Sequence, residues 1–270
     1  MDPTSLAYAL VIWSITAFGL ILFLLQLAAK EVGLRIGMRH HKEPPAEGVG
    51  VVVGSMLGLL AFVLALTLSF ANSRFNERLD GTLSEANAIS TAWLRAQAIG
   101  GPEGDQVSRL LEGYAGVRAE FVQAPPVLTT IDAITQRSDQ LQSQIWAEVT
   151  KIVRARPDPI SESLMSSLNQ AFDAATAVRF AFEKRVPGAL LWLLIGSTLL
   201  SMGTLGYQLG LRGKPLRILS MLLAAMWSLV IVDIIDLAAT RLGSFRTSDL
   251  AYRWTIQSFA PATPPRPQGR

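Results

Sequence analysis

Two carboxylates beside an apolar run are the side chains best placed to do chemistry. Asp233 and Asp236 are three residues apart and follow an uncharged stretch from Ile218 to Val232, so they share one face of a helix. An acid inside a membrane span is expensive to desolvate and marks an ion or proton path by default. Near the end of a span it can instead reach water, or pair with a base such as Arg241, Arg74 or Arg78. A second pattern is apolar. Leu59, Phe62, Leu66 and Phe70 form a bulky stripe on another uncharged run. At about 100° per residue the stripe lies about 80–160° around from a ridge of small residues, Gly50, Gly54 and Gly58, continued by Ala61 and Ala65. Small residues four apart let helix backbones approach closely in a bilayer. The first expectation is packing against another helix of the same subunit. A bulky apolar stripe faces lipid or core, or forms the constriction of a pore that gates by dewetting. Asn72-Ser73-Arg74-Phe75-Asn76-Glu77-Arg78 follows directly. It reads as interfacial anchoring, or as a charged pore entrance built on Arg74 and Arg78 that concentrates ions.

Enzyme chemistry has little support. The sequence has no cysteine, which excludes disulfides, thiolate metal sites and cysteine nucleophiles. The two histidines, His40 and His41, are adjacent and read as a solvated loop. There is no Gly-rich phosphate loop, no metal-ligand spacing and no nucleophile–histidine motif. The expectation is a protein with no catalytic residue, no metal and no cofactor. A formal charge of +3 and a pI near 9.4 suit anionic lipid head groups; the charge is too weak and scattered for nucleic acid.

The elements that must carry these residues are set by where charge is absent. Uncharged runs cover 5–29, 48–73, 186–211 and 218–232 of the 270 residues. A hydrocarbon core about 30 Å thick needs about 20 apolar residues at 1.5 Å each. Three runs suffice, and the fourth does if it continues through Asp233 and Asp236 to Thr240. The start, Met-Asp-Pro-Thr, lacks the basic residues of a signal peptide, so the first helix is expected to be retained. The reading is an all-α membrane protein with four transmembrane helices and a helical extramembrane domain between the second and third. Membrane helices one and two fall in 1–71, the domain in 72–187 and membrane helices three and four in 188–240; the rest, 241–270, is a C-terminal segment with a disordered, proline-rich tail from Pro261.

A loop is predicted from Lys30 to Glu47, and a short turn from Gly210 to Arg217. Nothing breaks the second helix after Ala71, so it continues out of the membrane to Ile99. Gly100-Gly101-Pro102 ends it. Further helices are predicted from Asp105 to Val122, from Thr129 or Thr130 to Ala155, and from Asp158, as N-cap with Pro159 in the first turn, to Pro187. Glu85 and Arg95, ten residues apart, lie on roughly the same side of the extended second helix. With Asn87 and Trp93 they suggest helix contacts fixed by polar pairs.

These motifs carry a resemblance. Gly50–Gly58, the run Leu60-Ala61-Phe62-Val63-Leu64, Glu85-Ala86-Asn87-Ala88-Ile89 and Trp93-Leu94-Arg95 resemble a bacterial family of bestrophin-like multi-pass membrane proteins. Arg109-Leu110-Leu111 with Tyr114 and Arg118 is similar to its next motif, and Asp233 and Asp236 with Gly243 and Ser248 to its C-terminal signature. The resemblance covers about 50–250. Phe70 through Arg78 is also similar to the end of the pore-lining helix of bestrophins, pentameric ion channels mostly for anions, with some bacterial members passing cations. It implies a homo-oligomeric, pentameric ion channel in a bacterial inner membrane, with Phe62, Leu66 and Phe70 as its neck and lipid, other copies and small inorganic ions as partners. It also implies a cytoplasmic domain. The positive-inside rule favours the opposite, because the two short loops hold seven Lys and Arg. Two other readings stay open: a non-conducting membrane scaffold whose domain docks a partner, and a proton-coupled assembly using Asp233 or Asp236.

Overall fold

A computed structural model describes residues 3–40, 48–184, 187–241 and 243–259. Among the described residues the fold is wholly helical: α1 (Pro3–Arg39), α2 (Val49–Ile99), α3 (Gly101–Gln123), α4 (Leu128–Ala155), α5 (Pro159–Glu183), α6 (Gly188–Leu211), α7 (Arg217–Ala238) and α8 (Leu250–Ser258). Among the described residues, stretches long and apolar enough to cross a membrane occur four times, in α1, α2, α6 and α7. The chain forms two compact units, one of residues 1–75 and 185–245, the other of 76–184 and 246–270. Helix α2 contributes to both.

In the first unit, α1 and α6 make the most extensive helix pair. The reason is a seam of glycines. A Cβ on Gly33 would collide with the Gly203 carbonyl oxygen, on Gly37 with that of Tyr207, on Gly206 with that of Lys30 and on Gly210 with that of Leu34. Backbone therefore lies on backbone, the arrangement that drives helix association where lipid is as apolar as the side chains. This seam explains why α1 does not stop at Ala29. The segment expected as a loop from Lys30 is helical to Arg39, because Gly33 and Gly37 complete the contact with α6 and Glu31 pairs with Arg35 one turn on, at 3.3 Å. The rest of that loop, 41–47, lies outside the described residues. A buried side-chain bond, Gln26 Nε2 donating to Ser228 Oγ at 3.0 Å, ties α1 to α7. Leu22, Leu60, Leu64, Leu194, Met202 and Trp227 centre the apolar core.

The second unit packs α3, α4, α5, α8 and the distal half of α2 around Ile89, Leu111, Tyr114, Ile145, Leu164 and Val178. Asp158 caps α5 as its type predicts: its Oδ1 accepts from the Ser161 N–H at 2.8 Å, and Ser161 Oγ accepts from the Asp158 N–H at 3.2 Å. Two starts differ from expectation. Helix α3 begins at Gly101, four residues before Asp105, because Gly100 and Gly101 both take positive φ and Pro102 suits the first turn. Helix α4 begins at Leu128 after Val127, without a side-chain cap. The segment after the last span is also more than a tail. Helix α8 is built into the second unit, and only 260–270, which includes the proline-rich stretch, falls outside the described residues.

The glycine seam gives a direct test. Gly206→Ala is expected to destabilise the subunit by about 1–3 kcal/mol through overpacking, read as a lower thermal midpoint in detergent. Gly196→Ala on the same helix meets nothing within 4 Å and is expected to leave the midpoint unchanged. Equal midpoints for the two variants would refute the contact.

Candidate functional site

Helix α2 presents one long open face. Phe62 is 64% exposed, Leu66 60% and Phe70 37%. Ser69, Ser73, Asn76, Asp80, Ser84, Asn87 and Thr91 continue the exposed positions at three- and four-residue spacing. The opposite side holds the helix in place, with Leu60, Leu64 and Ala71 buried. The small-residue ridge does not do what its spacing suggests. Nothing lies within 4 Å of a Cβ added at Gly54 or Gly58, and Gly50 meets only the side-chain ends of Gln208 and Arg212. The expected packing within the subunit is therefore corrected: the close backbone contact belongs to α1 and α6, and the ridge on α2 is open.

The two arginines after the stripe differ. The Arg74 guanidinium sits 4.7 Å over the Phe70 ring, a cation–π contact that holds the ring's orientation. Arg78, expected beside it at a pore entrance, is only 1% exposed. It is a buried structural residue: each step of four residues advances about 40° around the helix, and along Phe70, Arg74 and Arg78 the side chains pass from exposed through half-buried to buried. Asp233 and Asp236 also separate. Asp233 is exposed. Asp236 is buried and accepts the Ser244 backbone N–H on both oxygens, at 2.9 and 3.1 Å. This bond closes the turn after α7. Gly243 sits in it at φ 90, where a Cβ would strike the Asp236 carboxylate. Asp236 thus fixes backbone through a main-chain partner.

The motif residues Glu85, Tyr114 and Arg118, from α2 and α3, converge in the core of the second unit. Glu85 is fully buried and is gripped by both edges of the Arg118 guanidinium, Nε to Oε1 and Nη2 to Oε2, the latter at 3.0 Å. Tyr252, on α8, donates its hydroxyl to Glu85 Oε2 at 2.7 Å. Arg118 also reaches the Ala175 carbonyl of α5 at 3.4 Å and stacks 4.7 Å from the Phe121 ring. Gln142 of α4 donates to the Tyr114 hydroxyl at 2.8 Å. Burial works against the Arg118 charge, but the Glu85 carboxylate outweighs it and holds the guanidinium pKa above its ordinary value. Burial, then Glu85, pushes the Tyr114 phenol up to about 12, and the same two causes raise Tyr252 well above the usual phenol range. Arg95 reaches a different helix, donating to the Ser163 carbonyl of α5 at 2.7 Å. Asn87 faces out. Trp93 donates to Glu112 at 3.0 Å and packs its ring 5.0 Å from Phe259.

Sequence reasoning missed Tyr252. Its signal was the spacing of Tyr252, Thr255 and Phe259 after Ser248-Asp249, which is an amphipathic helix with a capping start. Thr255 adds a second tie, donating to the Ala86 carbonyl at 3.2 Å.

Removing one half of the pair leaves a buried charge. Arg118→Leu is expected to destabilise the protein by about 3–5 kcal/mol, measured by thermal or denaturant unfolding, and Glu85→Gln in the same chain should recover part of it. A small loss in the single variant would mean that water reaches Glu85. The phenols set an alkaline limit. Tyr114 titrates near 10 when unfolded and near 12 when folded, so the neutral phenol stabilises the fold below pH 10 and that contribution is lost as pH rises to about 12. The loss is on the order of 3 kcal/mol for a two-unit shift. Tyr114→Phe should shallow the fall in stability measured between those pH values; an unchanged slope would refute the assignment.

No family profile and no curated protein matches the sequence. Solved structures do match. Two single-residue variants of a bacterial bestrophin homolog from Klebsiella pneumoniae superpose with TM-scores of 0.63 and 0.64, at 14% and 13% identity, covering 92% and 91% of this chain and 95% and 96% of theirs. A third variant of that homolog gives 0.65 at 14% identity over 88% of this chain and 96% of that one. At such identity the shared property is the path of the backbone through membrane helices and inserted domain alike. This chain is a multi-pass helical membrane protein with the fold of the bacterial bestrophin homologs.

Proposed function

We propose that the protein is an ion channel formed by several copies of this chain, five by analogy with bestrophins, in a bacterial inner membrane. The observation that carries this reading is the open face of α2. Phe62 and Leu66 project from a helix whose other side is buried, and the bulky face is followed at the same helical spacing by Ser69, Ser73, Asn76 and Asp80. Arranged around a common axis, such helices give a dry apolar neck leading into a polar passage. The neck gates by wetting and dewetting. The open Gly54–Gly58 ridge supplies a smooth flank against which a neighbouring copy packs. The fold shared with bestrophin homologs supports the same reading. In this reading Glu85 with Arg118 serves to hold the distal half of α2 in place.

Reconstitution tests it. The purified protein in a planar bilayer is expected to pass current in simple salts, and Phe62→Ala with Leu66→Ala is expected to raise the conductance or open probability by widening and wetting the neck. Particle images should show a closed ring with α2 around the axis. No current in any salt, with a monomer or dimer whose α2 stripe meets lipid, would favour the scaffold reading instead.

A further inference from the structure

An apolar groove of about 360 Å³ lies in the first unit among α2, α6 and α7. Leu57, Leu205, Leu209, Leu219, Leu223 and Met226 line it. Its polar lining group, Ser220, directs its hydroxyl to the Leu216 and Arg217 carbonyls at 3.1 and 3.0 Å, so the walls offer an occupant no hydrogen bond. The occupant has to be hydrocarbon.

The groove has a direction and a charged mouth. From Arg217 to Met226 is nine residues of helix, ~14 Å at 1.5 Å per residue, or about half of a hydrocarbon core ~30 Å thick. That is the depth of one leaflet. At the shallow end Arg212, Lys214 and Arg217 are all exposed. The sequence holds no Asp or Glu from Lys184 to Val232, and Glu31 on α1 is paired with Arg35 at 3.3 Å. Leu216 takes φ 30 between these cations, a left-handed conformation rare for a branched side chain, and it forms the groove's rim. Positive charge at the head-group level above a hydrocarbon slot one leaflet deep is complementary to one ligand class.

We propose that this groove is a binding site for an anionic phospholipid, with an acyl chain between α6 and α7 and the phosphate at Arg212, Lys214 and Arg217. The site is independent of whether the protein conducts.

Native mass spectrometry of the full chain in mild detergent tests it, with dioleoyl phosphatidylglycerol and dioleoyl phosphatidylcholine as probes. The wild type should retain the anionic lipid on the order of tenfold better, the scale set by basic residues near a charged head group. The combined substitutions Arg212→Gln, Lys214→Gln and Arg217→Gln, all on an exposed turn, should bring it down to the level of phosphatidylcholine. Leu223→Trp fills the slot and should lower retention of both lipids with the number of subunits unchanged; Leu219→Trp, more exposed, serves if that variant does not fold. Equal retention of the two lipids by the wild type overturns the proposal. So does full retention of the anionic lipid in the charge variant or in the filled groove. Loss of subunit association with lipid retention intact would give the groove to a second copy and overturn it equally.

Discussion

A carboxylate with no exposed surface must be neutralised by groups brought from elsewhere in the chain, and Glu85 draws them from two directions. Arg118 comes from the next helix and supplies a full charge through two hydrogen bonds. Tyr252 comes from beyond the last membrane span. Desolvating the pair is expensive, and an ion pair in such a place is weak evidence of net stability. Its effect is on uniqueness. An alternative packing of α2, α3 and α8 leaves a bare charge in an apolar core, which is a far larger penalty than a misplaced leucine. The distal half of α2 is thus held in one rotation about its axis. That rotation decides which of its residues face outward.

The first unit reaches the same end by an uncharged route. Within lipid there is no hydrophobic gain in bringing two apolar helices together, so contact distance decides which helices pair. The glycines of α1 and α6 bring backbone onto backbone. Helix α2, with bulkier inward residues, stands off and leaves its ridge and its stripe uncovered. The groove beside α7 is a further result: where helices are spaced by leucines rather than glycines, a slot remains.

Much of this was legible in the residues. Charge-free runs located the spans, and Gly100-Gly101-Pro102, Pro125-Pro126 and Asp158-Pro159 punctuated the domain because they act locally. What could not be read was the choice of partner. Glycines occur four apart on α2 and three and four apart on α6, and spacing alone does not say which ridge meets another backbone. Arg74 and Arg78 read alike in the sequence; one lies over the Phe70 ring and the other, only about 40° further around the helix, is buried. Asp236 holds a backbone N–H eight residues on, a partner that has no signature in side-chain identities. Helix α8 is nine residues long, too short to announce itself beside the spans.

The bond between Tyr252 and Glu85 joins residues 167 apart, and both α6 and α7 lie between them in the chain. The core of the inserted domain is therefore still incomplete when the domain's own residues have all been synthesised. Its last buried donor emerges only after two more membrane segments have been made and threaded. Until then Glu85 and Arg118 border a gap where α8 will sit, and the half-built domain exposes the apolar surface that Tyr252 and Phe259 later cover. Closing so long a loop comes late in folding. The arrival of α8 on that surface also requires that α6 and α7 have crossed the bilayer as a pair and returned the chain to the side it left. Maturation of the domain thus reports on correct insertion of the last two spans, and a copy whose spans fail to insert carries an unfinished domain that quality-control proteases can recognise.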